Sequence, residues 1–171
     1  MILHCTQKLA TKLPAVSAAP LTEDSPLGSW HAHLYHYDRR QCVLFCHDAS
    51  RYCLFLPGLV KSDFAELGRL HKELFLATLV VMAIPETLLN RVALTLGPMW
   101  FDRNTDRSVL GSMRTADLDL SWMIHDQHVL DCNPLMIARK LNERPASVRG
   151  QWLHPAQVMK ERIEQLEGRG A

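Results

Sequence analysis

The sequence predicts an α+β fold, an antiparallel β-meander with helices packed mainly on one of its faces, and three observations predict it. Residues 30–57 hold three strand-like segments, "WHAHLYHY", "QCVLFCH" and "YCLFLP", separated only by the turn-forming "DRR" and "DASR". Connections this short join antiparallel neighbours. From Asp63 the apolar period changes, and Phe64, Leu67, Leu70, Leu74, Ala77 and Val81 recur at helical spacing. At 171 residues the chain reads as a single α+β domain, residues 1–171, because chains of roughly 150 residues bury about two-thirds of the surface they expose when unfolded.

Each element follows from local rules. Residues 2–5 are apolar enough for a first strand, and Thr6 caps a short helix through "QKLATKL" that Pro14 stops. Residues 14–28, with three prolines and no period, form a surface connection. The meander strands occupy 30–37, 41–47 and 52–57. Asp63, with Glu66 three residues on, opens a helix over 63–83. Pro85 ends it and begins the next, 86–96, which Gly97 and Pro98 terminate. These two helices form the main cover. Residues 99–110 extend the sheet, and Ser112 caps a helix through "ADLDLSWMIHD". Asn133-Pro134 opens another helix that Pro145 closes. The carboxy-terminal helix and tail, 153–171, carry Val158, Ile163 and Leu166 on one stripe and lie against either the body or a partner chain.

Composition narrows the function classes. With 47% hydrophobic residues, 22% charged and a net charge of +1, the chain has the balance of a soluble globular protein. Charge is evenly divided along it, so neither half has the basic excess of a nucleic-acid clamp, and nucleic-acid binding is the least favoured reading. The longest apolar run, "LFLATLVVMAIP", is far short of the about 20 residues that span a bilayer. The amino terminus, "MILHCTQKLATKL", does not read as a secretion signal. The expected location is therefore cytoplasmic, with Cys5, Cys42, Cys46, Cys53 and Cys132 reduced and acting as small apolar fillers. The four tryptophans read as core anchors.

The chemistry-bearing stretch is "WHAHLYHYDRRQCVLFCH", residues 30–47, with four histidines and two cysteines. Alternate strand residues share a face, so His31 and His33 project together about 6.6 Å apart. A two-residue or four-residue loop at "DRR" and a four-residue loop at "DASR" would put His31, His33, Cys46 and Cys53 on one face, with Cys46 directly opposite Cys53. That mixed nitrogen and sulfur set suits zinc. His4 and Cys5 on the first strand are substitutes, and Asp48 or His47 is a proton carrier for a metal-dependent hydrolase. The competing reading is a packed core sheet, because Tyr35, Leu44 and Phe55 fall on the same face.

Two other groups carry weaker signals. Arg39 and Arg40 in the first turn, with Arg51, Arg103 and Arg107, have the planar donor fork that suits an anion, although turns are charged simply to stay solvated. Asp102, Asn104 and Asp106 have the first ligand spacings of a calcium loop, but Arg107 and Met113 replace the required glycine and glutamate. This stretch reads as a polar turn.

"LHCTQKL", "PLGSWHAHLYHYDRRQCVLFCHDASRYCLFLPGL" and "SVLGSM" resemble a family of bacterial proteins known only as a domain of unknown function, over residues 2 to roughly 145. The resemblance implies one intact bacterial cytosolic domain and assigns no activity, cofactor or residue role. With a complete fold but no complete catalytic set, the favoured expectation is a non-catalytic binding or interaction module, acting on a protein partner or by self-association. Whether the chain is an enzyme stays open.

Overall fold

A computed structural model describes residues 1–166. The tail expected at 167–171 lies outside the described residues. Strands β1 (Ile2–Cys5), β2 (Trp30–Tyr37), β3 (Arg40–His47), β4 (Cys53–Leu59) and β5 (Trp100–Asp102) form one sheet in the order β4-β3-β2-β1-β5. Asp38 and Arg39 both have positive φ, as a two-residue type I′ turn requires. That turn pairs Tyr37 with Arg40 and carries the register down to His31 opposite Cys46. Beyond the next loop, Cys46 stands opposite Cys53.

The sheet is mixed rather than a purely antiparallel meander. β1 pairs in parallel with both β2 and β5. A parallel partner needs a crossover, and here it is α1 (Gln7–Ala10) followed by the 14–28 segment. That segment is hydrogen-bonded along the outer edge of β5: Ser17 N–H donates to Phe101 C=O at 2.8 Å and Leu21 N–H to Asp102 Oδ2 at 2.8 Å. The opposite edge is closed by a side chain. Asn142 accepts from Cys53 N–H and donates to Cys53 C=O, standing in for a neighbouring strand.

Helices cover both faces, which corrects the one-sided expectation. One apolar cluster joins Leu3, Trp30, Ala32, Leu34 and Phe45 to Leu9 of α1 and to α2 (Leu67–Val81), α3 (Glu86–Thr95) and α6 (Pro155–Glu164). On the other face Leu44, Cys46, Cys53 and Phe55 pack against Val109, Met113, Ala116 and Leu120 of α4 (Arg107–Met123). α5 (Pro134–Glu143) straddles the β4 edge, with Ala138 in the first cluster and Ile137 and Leu141 in the second. Met159, Ile163 and Leu166 are buried in the first cluster, so the carboxy-terminal helix lies on the body.

Other boundaries also move. The expected 99–110 strand region is β only at 100–102, because Asp106 rather than Ser112 caps α4, accepting from Ser108 N–H and Val109 N–H. The helix expected over 63–83 begins with a 3₁₀ turn, Lys61–Phe64, before α2. Asn133 caps α5 as expected, accepting from Leu135 N–H at 2.9 Å. A small hairpin, β6 (Ala146–Val148) with β7 (Gln151–Leu153), follows α5. Of the tryptophans only Trp30 is a core anchor; Trp100, Trp122 and Trp152 are exposed. All five cysteines are buried and unpaired. Among the described residues no helix is long and apolar enough to cross a membrane.

Candidate functional site

A row of polar side chains crosses the α4 face of the sheet. Register places Asp102 beside His4 and His4 beside His31, so all three point to that face. Asp48, just past the end of β3, reaches back to the row. The connections after β1 and β5 leave to opposite faces, α1 to one cluster and α4 to the other. Adjacent parallel strands that part in this way open a crevice beyond their carboxyl ends. His4 and Asp102 stand at that end, and Arg103 Nη1 donates across it to Gln7 Oε1 at 3.0 Å.

Hydrogen bonds fix the tautomers. His31 Nε2 accepts from the backbone N–H of Asp106 at 2.7 Å, so its ring proton is on Nδ1 and is donated to Asp48 Oδ1 at 2.6 Å. Both nitrogens of His31 are thereby engaged. His4 Nδ1 donates to Asp102 Oδ1 at 2.6 Å, which in the neutral ring leaves Nε2 as the acceptor. That Nε2 faces Asp48 Oδ2 at 3.9 Å. Asp48 Oδ2 also accepts from Ser29 Oγ at 2.6 Å.

The two carboxylates are held ionised. Burial raises the pKa of Asp102, which is 0% exposed, but the N–H groups of Leu21 and Asn104 and the His4 ring outweigh that and bring it below the usual value. Burial likewise raises Asp48, and the hydrogen bonds from His31 Nδ1 and the Ser29 hydroxyl outweigh it. The arrangement is thus a carboxylate-oriented imidazole whose outer nitrogen can take or give a proton, next to a second carboxylate.

The four sequence candidates for a metal share the predicted face without forming a ligand set. His33 Nδ1 bonds Thr6 Oγ1 at 2.7 Å, and burial lowers its pKa. Cys46 and Cys53 donate to the backbone carbonyls of His47 and Arg51. Hydrogen bonding with Cys53 and burial push the Cys46 thiol up, whereas a metal takes the thiolate. Among the described residues no three His, Cys, Asp or Glu side chains converge as metal ligands. The zinc reading therefore has register behind it but not ligand geometry.

The remaining candidates scatter. Arg39 and Arg40 are exposed in the turn at the opposite end of β2 from His31, roughly 20 Å along the strand. His47 faces the apolar side, beside Trp30. Sequence reasoning weighed His4 only as a substitute and read Asp102 as part of a turn. The usable signal was positional: two short apolar strands, each with a polar residue at its inward-facing end.

No curated protein and no solved structure matches the chain. Residues 2–158 match the profile of one family, described as Domain of unknown function (DUF6933). With that match spanning nearly the whole chain, the protein belongs to the DUF6933 family.

Proposed function

We propose that this domain is a binding module for a small polar molecule bearing a hydroxyl or amino group, seated over Nε2 of His4 and the carboxylate of Asp48. One observation carries the reading: two acceptors, each fixed by its own hydrogen-bond partners, face one another 3.9 Å apart at the carboxyl ends of β1 and β3. An amino group seated there donates to both, and a hydroxyl donates to one of them. A non-catalytic role is the simpler form. The Cys5 thiol beside the site is a poor nucleophile, pushed up to about 12 by burial and by Asp102, and the Ser29 hydroxyl is committed to Asp48.

The Asp102–His4 pair favours a second form, in which His4 removes the proton of the bound hydroxyl. Metal-dependent hydrolysis and nucleic-acid binding have less support, the first for want of ligand geometry and the second for want of net charge. The test is an NMR screen of alcohol and amine fragments against the protein and its His4→Gln variant. Hits that shift His4, Asp48 and Ser29 and vanish in the variant support the reading. Hits that persist undiminished in His4→Gln, or none at these residues, remove it. Consumption of a hit by the protein but not by His4→Gln selects the catalytic form.

A further inference from the structure

Toward the β4 edge of the same face, three strands from His4, a cavity of about 310 Å³ lies between the first turns of α4 and the β6–β7 hairpin. That is at the lower end of the roughly 300–1,000 Å³ that holds small organic ligands. Its floor includes Arg51, which is only 6% exposed. Nη1 of Arg51 donates to the backbone carbonyl of Asp48, and Nη2 to Ser108 Oγ at 3.1 Å. Nε is buried with no hydrogen-bond partner.

Among the described residues this guanidinium makes no ion pair with a carboxylate. The Asp106 carboxylate acts on it only at longer range, and a buried arginine with no ion pair is suited to an oxyanion, which its planar fork meets with parallel hydrogen bonds. The backbone of Arg51 is also held at φ +59°, in the left-handed region that a non-glycine residue adopts at a cost. The other two charged side chains lining the cavity, Arg144 and Asp119, pair with each other. The cavity therefore keeps a net positive charge. On its rim Trp152, 72% exposed, offers a flat apolar surface.

We propose that this cavity binds a small oxyanion, a phosphate monoester or a carboxylate, attached to a planar ring, with the anion at Arg51 and the ring against Trp152. The proposal does not depend on the reading of His4. It makes Arg51 and Trp152 specificity residues, one for charge and the other for shape.

The experiment is a titration with phenyl phosphate, benzoate and inorganic phosphate, followed by NMR at the Arg51 Nε–H and the Trp152 indole N–H. Phenyl phosphate or benzoate should shift both signals saturably, and whichever binds more tightly identifies the head group. Inorganic phosphate should shift Arg51 alone and bind more weakly. Trp152→Ala should weaken the aryl ligand by about tenfold while leaving inorganic phosphate unchanged. Ser112→Glu, which places a carboxylate in the cavity wall, should abolish binding of all three. If that variant does not fold, Trp152→Ala, at an exposed position, still decides. No saturable shift at Arg51 with any of the three probes overturns the proposal. So does equal affinity for phosphate and phenyl phosphate. His4→Gln should leave these titrations unchanged, so failure of the His4 reading is separable from failure of this one.

Discussion

Two pairs of histidines sit on opposite faces of one sheet and have opposite surroundings. His4 and His31, on the α4 face, each meet a carboxylate at 2.6 Å. His47 and His71, on the other face, meet none. His47 donates from Nε2 to Leu27 C=O, and Nδ1 accepts from Ser50 N–H. His71 is wedged edge-on between Trp30 and Phe45, with both ring nitrogens buried and unpartnered. Burial pushes His47 down to about 4 and His71 down to about 3, with neighbouring cations adding for His47 and His47 itself for His71. The difference teaches that histidine abundance in a sequence is not a site: orientation by a buried carboxylate separates a proton-handling ring from a packing one.

The largest expected effect breaks the comparison through pH. Unfolded histidines titrate near 6.5, whereas His47 and His71 stay neutral in the fold until about 4 and about 3. Between those limits the unfolded chain binds the extra protons, so stability is full above about 6.5 and falls as pH falls. Urea unfolding at pH 8 and pH 5 should differ by on the order of 4 kcal/mol for the pair. Equal stability at the two pH values would refute the assignment. The carboxylates Asp48 and Asp102, held below their usual values, give up their contribution only at still lower pH.

Next in size is Asp102→Asn. The carboxylate accepts from His4, Leu21 N–H and Asn104 N–H, and a carboxamide would turn a donor against one of these donors. A loss of about 3 kcal/mol is expected in the urea midpoint. A change within error would mean that Asp102 does not hold the site. The opposite sign is expected for His71→Leu, which removes an unpartnered ring from an apolar setting of similar volume. It should gain about 1–2 kcal/mol at pH 8 and flatten the acid dependence. The smallest stability effect belongs to His4→Gln, about 1 kcal/mol, because the carboxamide N–H can still donate to Asp102 in place of Nδ1 while Nε2 bonds nothing in the fold. This is the variant in which fragment binding should nevertheless disappear.

The parts of this fold governed by turn length were readable from the sequence. A two-residue turn at Asp38 and Arg39 and a four-residue loop after His47 were enough to place His31, Cys46 and Cys53 on one line. Pairings that close through long connections were not readable. Nothing local announces that β1 lies parallel to β2, or that Asp102 bonds His4 across 98 residues. The start of α4 was misplaced because Asp106 and Ser112 are both good caps, and only the buried stripe beginning at Val109 favours the earlier one. The β6–β7 hairpin escaped because three-residue strands carry too little alternation to register. Arg51 was visible only as one more turn arginine, since its burial is set by α4 arriving from 57 residues away.

The position of β1 between β2 and β5 has a kinetic consequence. β2, β3 and β4 join through tight turns and can zip as successive hairpins on the microsecond scale of local structure. The Asp102–His4 contact, by contrast, must close a loop of nearly the whole chain preceding it, and such closures come late because their entropy is lost before any contact rewards it. The candidate site is therefore assembled last and dismantled first. Hydrogen exchange should find the amides of β1 and β5 opening while those of β3 stay protected, so that mild denaturation silences the crevice well before the sheet itself comes apart.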